Sequence, residues 1–140
     1  MSDKSFYDSI RVGEEIPLLV KEPTLRTAIK WAFASGDYHE IHYDYDYAEY
    51  AGLPGVIVHG GVIFSYISQM ITDWAVEHGV IKKIGCSYRG LFFPGEPVIC
   101  RAKVVRKYIE NGEYCVDCET WAENPGGEKL AIGKVVIILF

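Results

Sequence analysis

What this 140-residue sequence lacks narrows the field first. No stretch reaches the roughly 20 consecutive apolar residues of a membrane span. The start, MSDKSFYDSIRVGEEI, has no apolar run behind a basic opening and does not read as a signal peptide. A soluble, cytoplasmic chain with no membrane partner is expected. Basic residues are the minority, 14 Lys and Arg against 19 Asp and Glu, for a net charge of −5. Such a balance repels polyanions and offers no basic stripe, which argues against nucleic acid. Cysteine is sparse. Cys115 and Cys118 fall in a strand-like run, where residues three apart face opposite ways, and with Cys86 and Cys100 they form no second ligand pair at zinc spacing. Free thiols are expected. With 49% hydrophobic residues, the length suits one domain, 1–140, able to bury a real core.

What is present is concentrated between Ser35 and Ser68, SGDYHEIHYDYDYAEYAGLPGVIVHGGVIFSYIS. Asp37 and His42 stand five residues apart just after Gly36, and His59-Gly60-Gly61 opens an apolar stretch. Each piece has a plain structural use. Ser-Gly-Asp is a serviceable helix stop and turn, a histidine sits neutral in many hydrogen-bonded settings, and paired glycines let a helix start close to its neighbours. The combination suggests chemistry. A carboxylate and an imidazole on one short loop reach a common water, as general acid/base work requires. A glycine-led helix start leaves N–H groups free at the positive end of the helix dipole, where a developing oxyanion is stabilised.

Along the chain, residues 1–23 hold a polar start and an extended piece, 16–20, ended by Pro23. Thr24 can cap a helix, and Leu25, Ala28, Ile29, Ala32 and Phe33 at helical spacing predict one over 25–34, so that Asp37 arrives just past its end. Asp44, Asp46, Tyr47, Ala48 and Tyr50 predict a short helix closed by Gly52 and Pro54. From Gly60 to about His78 the residues are mostly apolar, interrupted by Ser65, Ser68, Gln69, Thr72 and Asp73, which describes a buried helix. Ser68 falls on the face of the helix start and either turns toward the loop or bonds its own helix backbone. Extended runs follow over 82–93, 98–108, 113–122 and 130–140, with turn signals at Pro94-Gly95, Asn111-Gly112 and Asn124-Pro125-Gly126-Gly127. They predict an antiparallel meander, its last strand covered on both faces over 135–140. The fold class is α+β. His39, His42, Asp44 and Asp46 invite a metal, yet alternate loop residues do not readily converge on one ion, and none is expected.

The run Gly36-Asp37-Tyr38-His39-Glu40-Ile41-His42, followed by His59-Gly60 and Ser68, resembles the MaoC-like dehydratases, the (R)-specific enoyl-CoA hydratases of hot-dog fold. The likeness extends more loosely over nearly the whole chain, and His39-Glu40 stands where the family's commonest pattern has Asn-Pro. It implies an antiparallel sheet wrapped around the long helix, and a homodimer or higher homo-oligomer whose sheets join edge to edge. It implies Asp37 and His42 as the catalytic dyad, the Gly60 amide as oxyanion donor to the thioester carbonyl, and Ser68 and His59 as supporting residues. The implied reaction is reversible hydration of a trans-2-enoyl thioester, equally dehydration of an (R)-3-hydroxyacyl thioester. Coenzyme A or an acyl carrier protein would carry the substrate, and no cofactor is needed. Lys82, Lys83, Arg89, Arg101 and Lys103 are the cations on offer to coenzyme A phosphates. Two rivals remain open. An acyl-thioesterase would draw an acid from the central helix, where Asp73 and Glu77 lie late, and a non-catalytic, tunnel-forming partner subunit would have lost the dyad. Tyr38, Tyr43, Tyr45, Tyr47 and Tyr50 either shape an acyl tunnel or pack with their hydroxyls in water.

Overall fold

Ile63, Ile67 and Ile71 recur every four residues along a helix and are all but completely buried, at 1%, 0% and 0% exposure. That helix, α4 (Gly60–Ala75), is the axis of the computed structural model, which describes residues 3–140. Each buried isoleucine contributes about 1.5–3 kcal/mol relative to exposure. The surface that receives them comes from the strands: Val104, Val116, Cys118, Ala122, Val135 and Ile137 join the helix in one core cluster.

The sheet has five antiparallel strands in the order β1-β3-β4-β5-β2. Its members are β1 (Leu19–Lys21), β2 (Gly79–Tyr88), β3 (Val98–Glu110), β4 (Glu113–Glu123) and β5 (Lys129–Leu139). Val116, Cys118, Thr120 and Ala122 alternate inward along β4, as the pleat demands. Asn111 and Gly112 both take positive φ, 51° and 77°, which closes the tight β3–β4 hairpin. All four cysteines are free thiols.

Five of the sequence expectations need correction. Only β3, β4 and β5 form a meander. Strand β2 pairs with β5, not with β3, because the Pro94-Gly95 signal lies inside a connection (89–97) that crosses the structure, with Gly95 N–H donating to Pro23 O and Val58 N–H to Phe92 O. Strand β2 also starts earlier and stops earlier than 82–93. Arg89 and Gly90 both donate to Leu130 O, at 2.7 and 3.2 Å, and that shared carbonyl ends the ladder. The polar start contains a helix, α1 (Asp3–Ser9), whose Phe6 stacks on His78 at 4.0 Å and whose Tyr7 lies 4.9 Å from Tyr114. The extended piece is shifted, its ladder with β3 running over Leu19–Lys21, and the end of β5 is covered fully on one face only, Phe140 being exposed.

Two helices deliver the polar loop. The first, α2 (Leu25–Ser35), opens with a capping box between Thr24 and Thr27 and closes on Gly36, whose φ of 78° lets its N–H reach Ala32 O. The second, α3 (Tyr45–Tyr50), is capped by Asp44, which accepts from Tyr47 N–H at 3.0 Å. Among the described residues no helix is long and apolar enough to cross a membrane.

Candidate active site

The left-handed turn at Gly36 sets Asp37 at the head of the loop. Its N–H donates to Ser35 Oγ at 3.1 Å, and its Oδ1 accepts from His39 N–H at 3.2 Å, an Asx turn that fixes the carboxylate. A single 3₁₀ turn (Glu40–His42) then carries His42 inward. His42 Nε2 stands 3.8 Å from Asp37 Oδ2, too far for a direct hydrogen bond. The carboxylate is half exposed, while the imidazole is buried to 9%.

The other ring nitrogen settles which tautomer is present. His42 Nδ1 lies 2.8 Å from the carbonyl oxygen of Ile57, which can only accept, so Nδ1 carries a proton and, in the neutral ring, Nε2 presents the lone pair. Ile57 N–H in turn donates to Ile41 O, tying the two halves of the loop together. Asp37 and His42 thus offer two acceptors facing one gap.

His59 lies beneath both. Its ring stacks on His42 with centroids 3.7 Å apart and planes at 19°, and its Nε2–H donates to the backbone oxygen of Asp37 at 3.1 Å. The residue is 1% exposed, and its Nδ1 has no partner among the described residues. Burial lowers its pKa, the Asp37 carbonyl works against that shift, and neighbouring His42 adds to it. His59 therefore stays neutral near pH 7.

His59 is also the residue from which α4 starts, and it supplies no side-chain cap. The N–H groups of Gly60 and Gly61 have no partner among the described residues. The positive end of a 16-residue helix is thus open beside the acid/base pair. Two aromatic rings close around it. Tyr88, at the end of β2, donates its hydroxyl to Gly60 O at 2.6 Å, and a Cβ at Gly61 would collide with the Trp31 ring. Burial, with Cys86 beside it, raises the Tyr88 pKa and keeps its proton in place.

Ser68 takes the other of its two options: its Oγ donates to Phe64 O at 2.9 Å, one turn back on its own helix. Asp73 is exposed and 13 residues past Gly60, about 20 Å along the axis. Of the metal-like cluster in the loop, Asp44 is engaged in capping and His39 Nδ1 accepts from Ile41 N–H. The set that does gather is Asp37, His42 and His59, with ligand atoms within 4.8 Å of one another. An ion must lie in the plane of each imidazole it binds, and two rings stacked face to face do not share a plane. Sequence reasoning missed Ile57, whose backbone oxygen sits within the loop itself, and Trp31 and Tyr88, which reach the site from α2 and β2. The tyrosine run stays at the surface, with Tyr50 87% exposed and Tyr43 donating to Tyr38 O.

A helix-wrapped antiparallel sheet with this loop at the helix start defines a hot-dog protein. The MaoC like domain matches residues 11–122, and the chain belongs to that family. Among solved structures it is similar to an (R)-hydratase from A. caviae involved in PHA biosynthesis, with a TM-score of 0.83 and 21% identity over 92% of this chain and 96% of that one. An unliganded (R)-hydratase from Pseudomonas aeruginosa gives a TM-score of 0.84 at 21% identity, covering 95% and 84%. By sequence it is 34% identical over 137 residues to the fatty acid synthase beta subunit TOXC of Cochliobolus carbonum. It is 25% identical over 118 residues to the fatty acid synthase beta subunit of Saccharomyces cerevisiae. The chain spans only 6% of the length of each of these subunits, and 94% and 82% of itself is aligned.

Proposed function

We propose that the protein hydrates trans-2-enoyl thioesters reversibly, equally dehydrating (R)-3-hydroxyacyl thioesters, with Asp37 and His42 as the dyad. The observation that carries this is the gap between two acceptors, His42 Nε2 and Asp37 Oδ2, 3.8 Å apart. A water in that gap donates one hydrogen to each and is left with a lone pair aimed outward at C3 of the substrate. Imidazole as a class binds protons more tightly than carboxylate does. His42 therefore takes the proton as the C3–O bond forms, and Asp37 orients the water and stays ionised. The electron pair of the C2–C3 double bond moves toward the thioester oxygen, where the Gly60 N–H at the helix start receives the negative charge. His42 then returns its proton to C2. Water is consumed in full, with OH on C3 and H on C2, and neither metal nor redox cofactor enters.

The (R) configuration and the thioester carrier are inferred from the hydratases of similar fold and the synthase subunits of similar sequence. A homodimer joined through β2 is part of the proposal. That strand is ten residues long and pairs only with β5, leaving an edge able to accept a second strand. The thioesterase alternative is disfavoured by the position of Asp73. The test is to follow loss of the conjugated enoyl absorbance when purified protein meets crotonyl-CoA. No hydration, but release of free coenzyme A, would overturn the proposal.

A further inference from the structure

One sizeable cavity among the described residues does not hold the dyad. It lies on the opposite face of the sheet, encloses about 780 Å³ and is walled by β2, β4 and β5. The register shows which face this is. Ser87, Ile132 and Trp121 stand opposite one another across three strands, as do Gly85, Lys134 and Glu119, and directly opposed residues share a face. Their neighbours Val135 and Cys118 point the other way, into the core around α4. The volume is that of a ligand pocket, roughly 300–1,000 Å³.

The lining is out of character for an acidic chain. Lys83, Arg89, Lys129 and Lys134 face it with Glu119 as the only carboxylate, in a protein of net charge −5. Among the described residues none of these four cations lies within 4.0 Å of a carboxylate, whereas Arg101 is tied to Glu123 at 2.7 Å and to Glu15 at 4.0 Å. Lys129 Nζ lies 4.2 Å over the Trp121 ring, and the indole Nε1–H has no partner among the described residues. An ideal Cβ on Gly85 would meet nothing within 4 Å, so the floor beside Lys134 is open. Unpaired donors around a roomy floor with a flat aromatic beside it suit a phosphate ester on a planar base.

The cavity adjoins the site. Ser87 and Arg89 line it and flank Tyr88, the residue that holds Gly60 O, with consecutive Cα atoms about 3.8 Å apart. Strand β2 ends at Tyr88, so a flexible arm can pass beyond that end, between the dyad and Arg89, without crossing the strand edge that the proposed dimer would cover.

We infer that this cavity holds the phosphate-bearing nucleotide of a coenzyme A thioester while the acyl end lies at Asp37, His42 and Gly60. The identity of the ligand rests on the thioester chemistry proposed above. The cavity itself is tested without that chemistry. Calorimetric titration of the full chain with adenosine 3′,5′-bisphosphate at low salt should show saturable binding. Lys83→Gln with Lys134→Gln should weaken it about tenfold or more, the loss expected for charge-assisted contacts. Gly85→Leu should do the same by filling the floor, and since its Cβ meets nothing within 4 Å it should fold, with Gly85→Ala as the stability control. A second arm compares KM for an enoyl-CoA with KM for the phosphate-free enoyl-pantetheine thioester. The ratio should be about tenfold in favour of the CoA ester in wild type and should collapse toward one in Gly85→Leu. Hydration of the pantetheine ester without any nucleotide binding would overturn the cavity assignment and leave the hydratase standing. So would undiminished binding by Gly85→Leu, or displacement of the nucleotide by an equal concentration of inorganic phosphate. Nucleotide binding without hydration of either ester would keep the cavity and overturn the hydratase.

Discussion

Replacing Gly60 by alanine probes the helix start, and the structure predicts what the added methyl meets. A Cβ at residue 60 would stand 2.9 Å from Tyr88 Cζ and 3.0 and 3.3 Å from two further ring atoms. The ring cannot retreat freely, because its hydroxyl is anchored on Gly60 O at 2.6 Å. Breaking that bond costs about 1 kcal/mol, and crowding the contact about 1–3 kcal/mol. Alanine returns up to about 1 kcal/mol of helix propensity. The net is a destabilisation of about 1–3 kcal/mol, which in a chain of this size lowers Tm by about 3–10 °C. In a Tyr88→Ala background the obstruction is gone, and Gly60→Ala should change stability by no more than about 0.5 kcal/mol. Thermal melts of the four proteins close the double-mutant cycle, with an expected coupling of about 1–3 kcal/mol. Equal Tm losses in both backgrounds would refute the contact as the cause. Hydration rates on the same preparations address the chemistry. If Gly60 N–H is the oxyanion donor proposed above, a displaced Gly60-Gly61 peptide no longer meets the thioester oxygen squarely, and a small misplacement costs on the order of tenfold to 100-fold in rate. A destabilised but fully active Gly60→Ala protein would remove Gly60 from the active site.

Asp37→Asn and His42→Ala are each expected to lower enoyl-thioester hydration about 100-fold or more. In the proposed mechanism both act on one water, so the double variant should be little worse than either single one, as steady-state rates will show. His59 predicts a pH dependence of stability. Burial lowers its folded pKa, so the unfolded chain binds the proton more readily and stability falls as pH drops below the unfolded value of about 6.5. Urea midpoints at pH 7.5 and 5.5 should differ in the wild type and converge in His59→Phe, and an unchanged difference would refute the assignment. Activity should survive exhaustive treatment with EDTA or phenanthroline. Its loss, with recovery on adding zinc or manganese, would place an ion among Asp37, His42 and His59.

The parts of the fold legible in the sequence are those governed by local rules. Thr24 and Gly36 bracket α2, Asp44 caps α3, and the isoleucine spacing of α4 announces its buried face. Strand pairing was not legible in the same way. Nothing in the composition of β2 distinguishes β5 from β3 as its partner, because that choice depends on the long 89–97 connection. In α1, Phe6 and Tyr7 are two apolar residues in a polar setting, too few to show a helical period before the core that receives them is known. The loop chemistry followed the same division. Asp37 and His42 are close in sequence and close in space. Tyr88 is 28 residues from the glycine it holds, and the stacking of His59 on His42 spans 17, beyond what local spacing can encode.

Asp37, His42, Ile57, His59 and the open helix start all come from one continuous stretch of 27 residues, 35–61. The groups proposed to react are therefore carried on one block of the chain, and most of the strand residues lie outside it. Substitutions along β5 and at the other positions of β2 leave the Asp37–His42 loop untouched, whereas Tyr88 on β2 stays tied to Gly60. A duplicated copy of such a domain can diverge quickly in substrate range through its sheet. On the proposed mechanism, a single change in the loop silences it while the shape is kept.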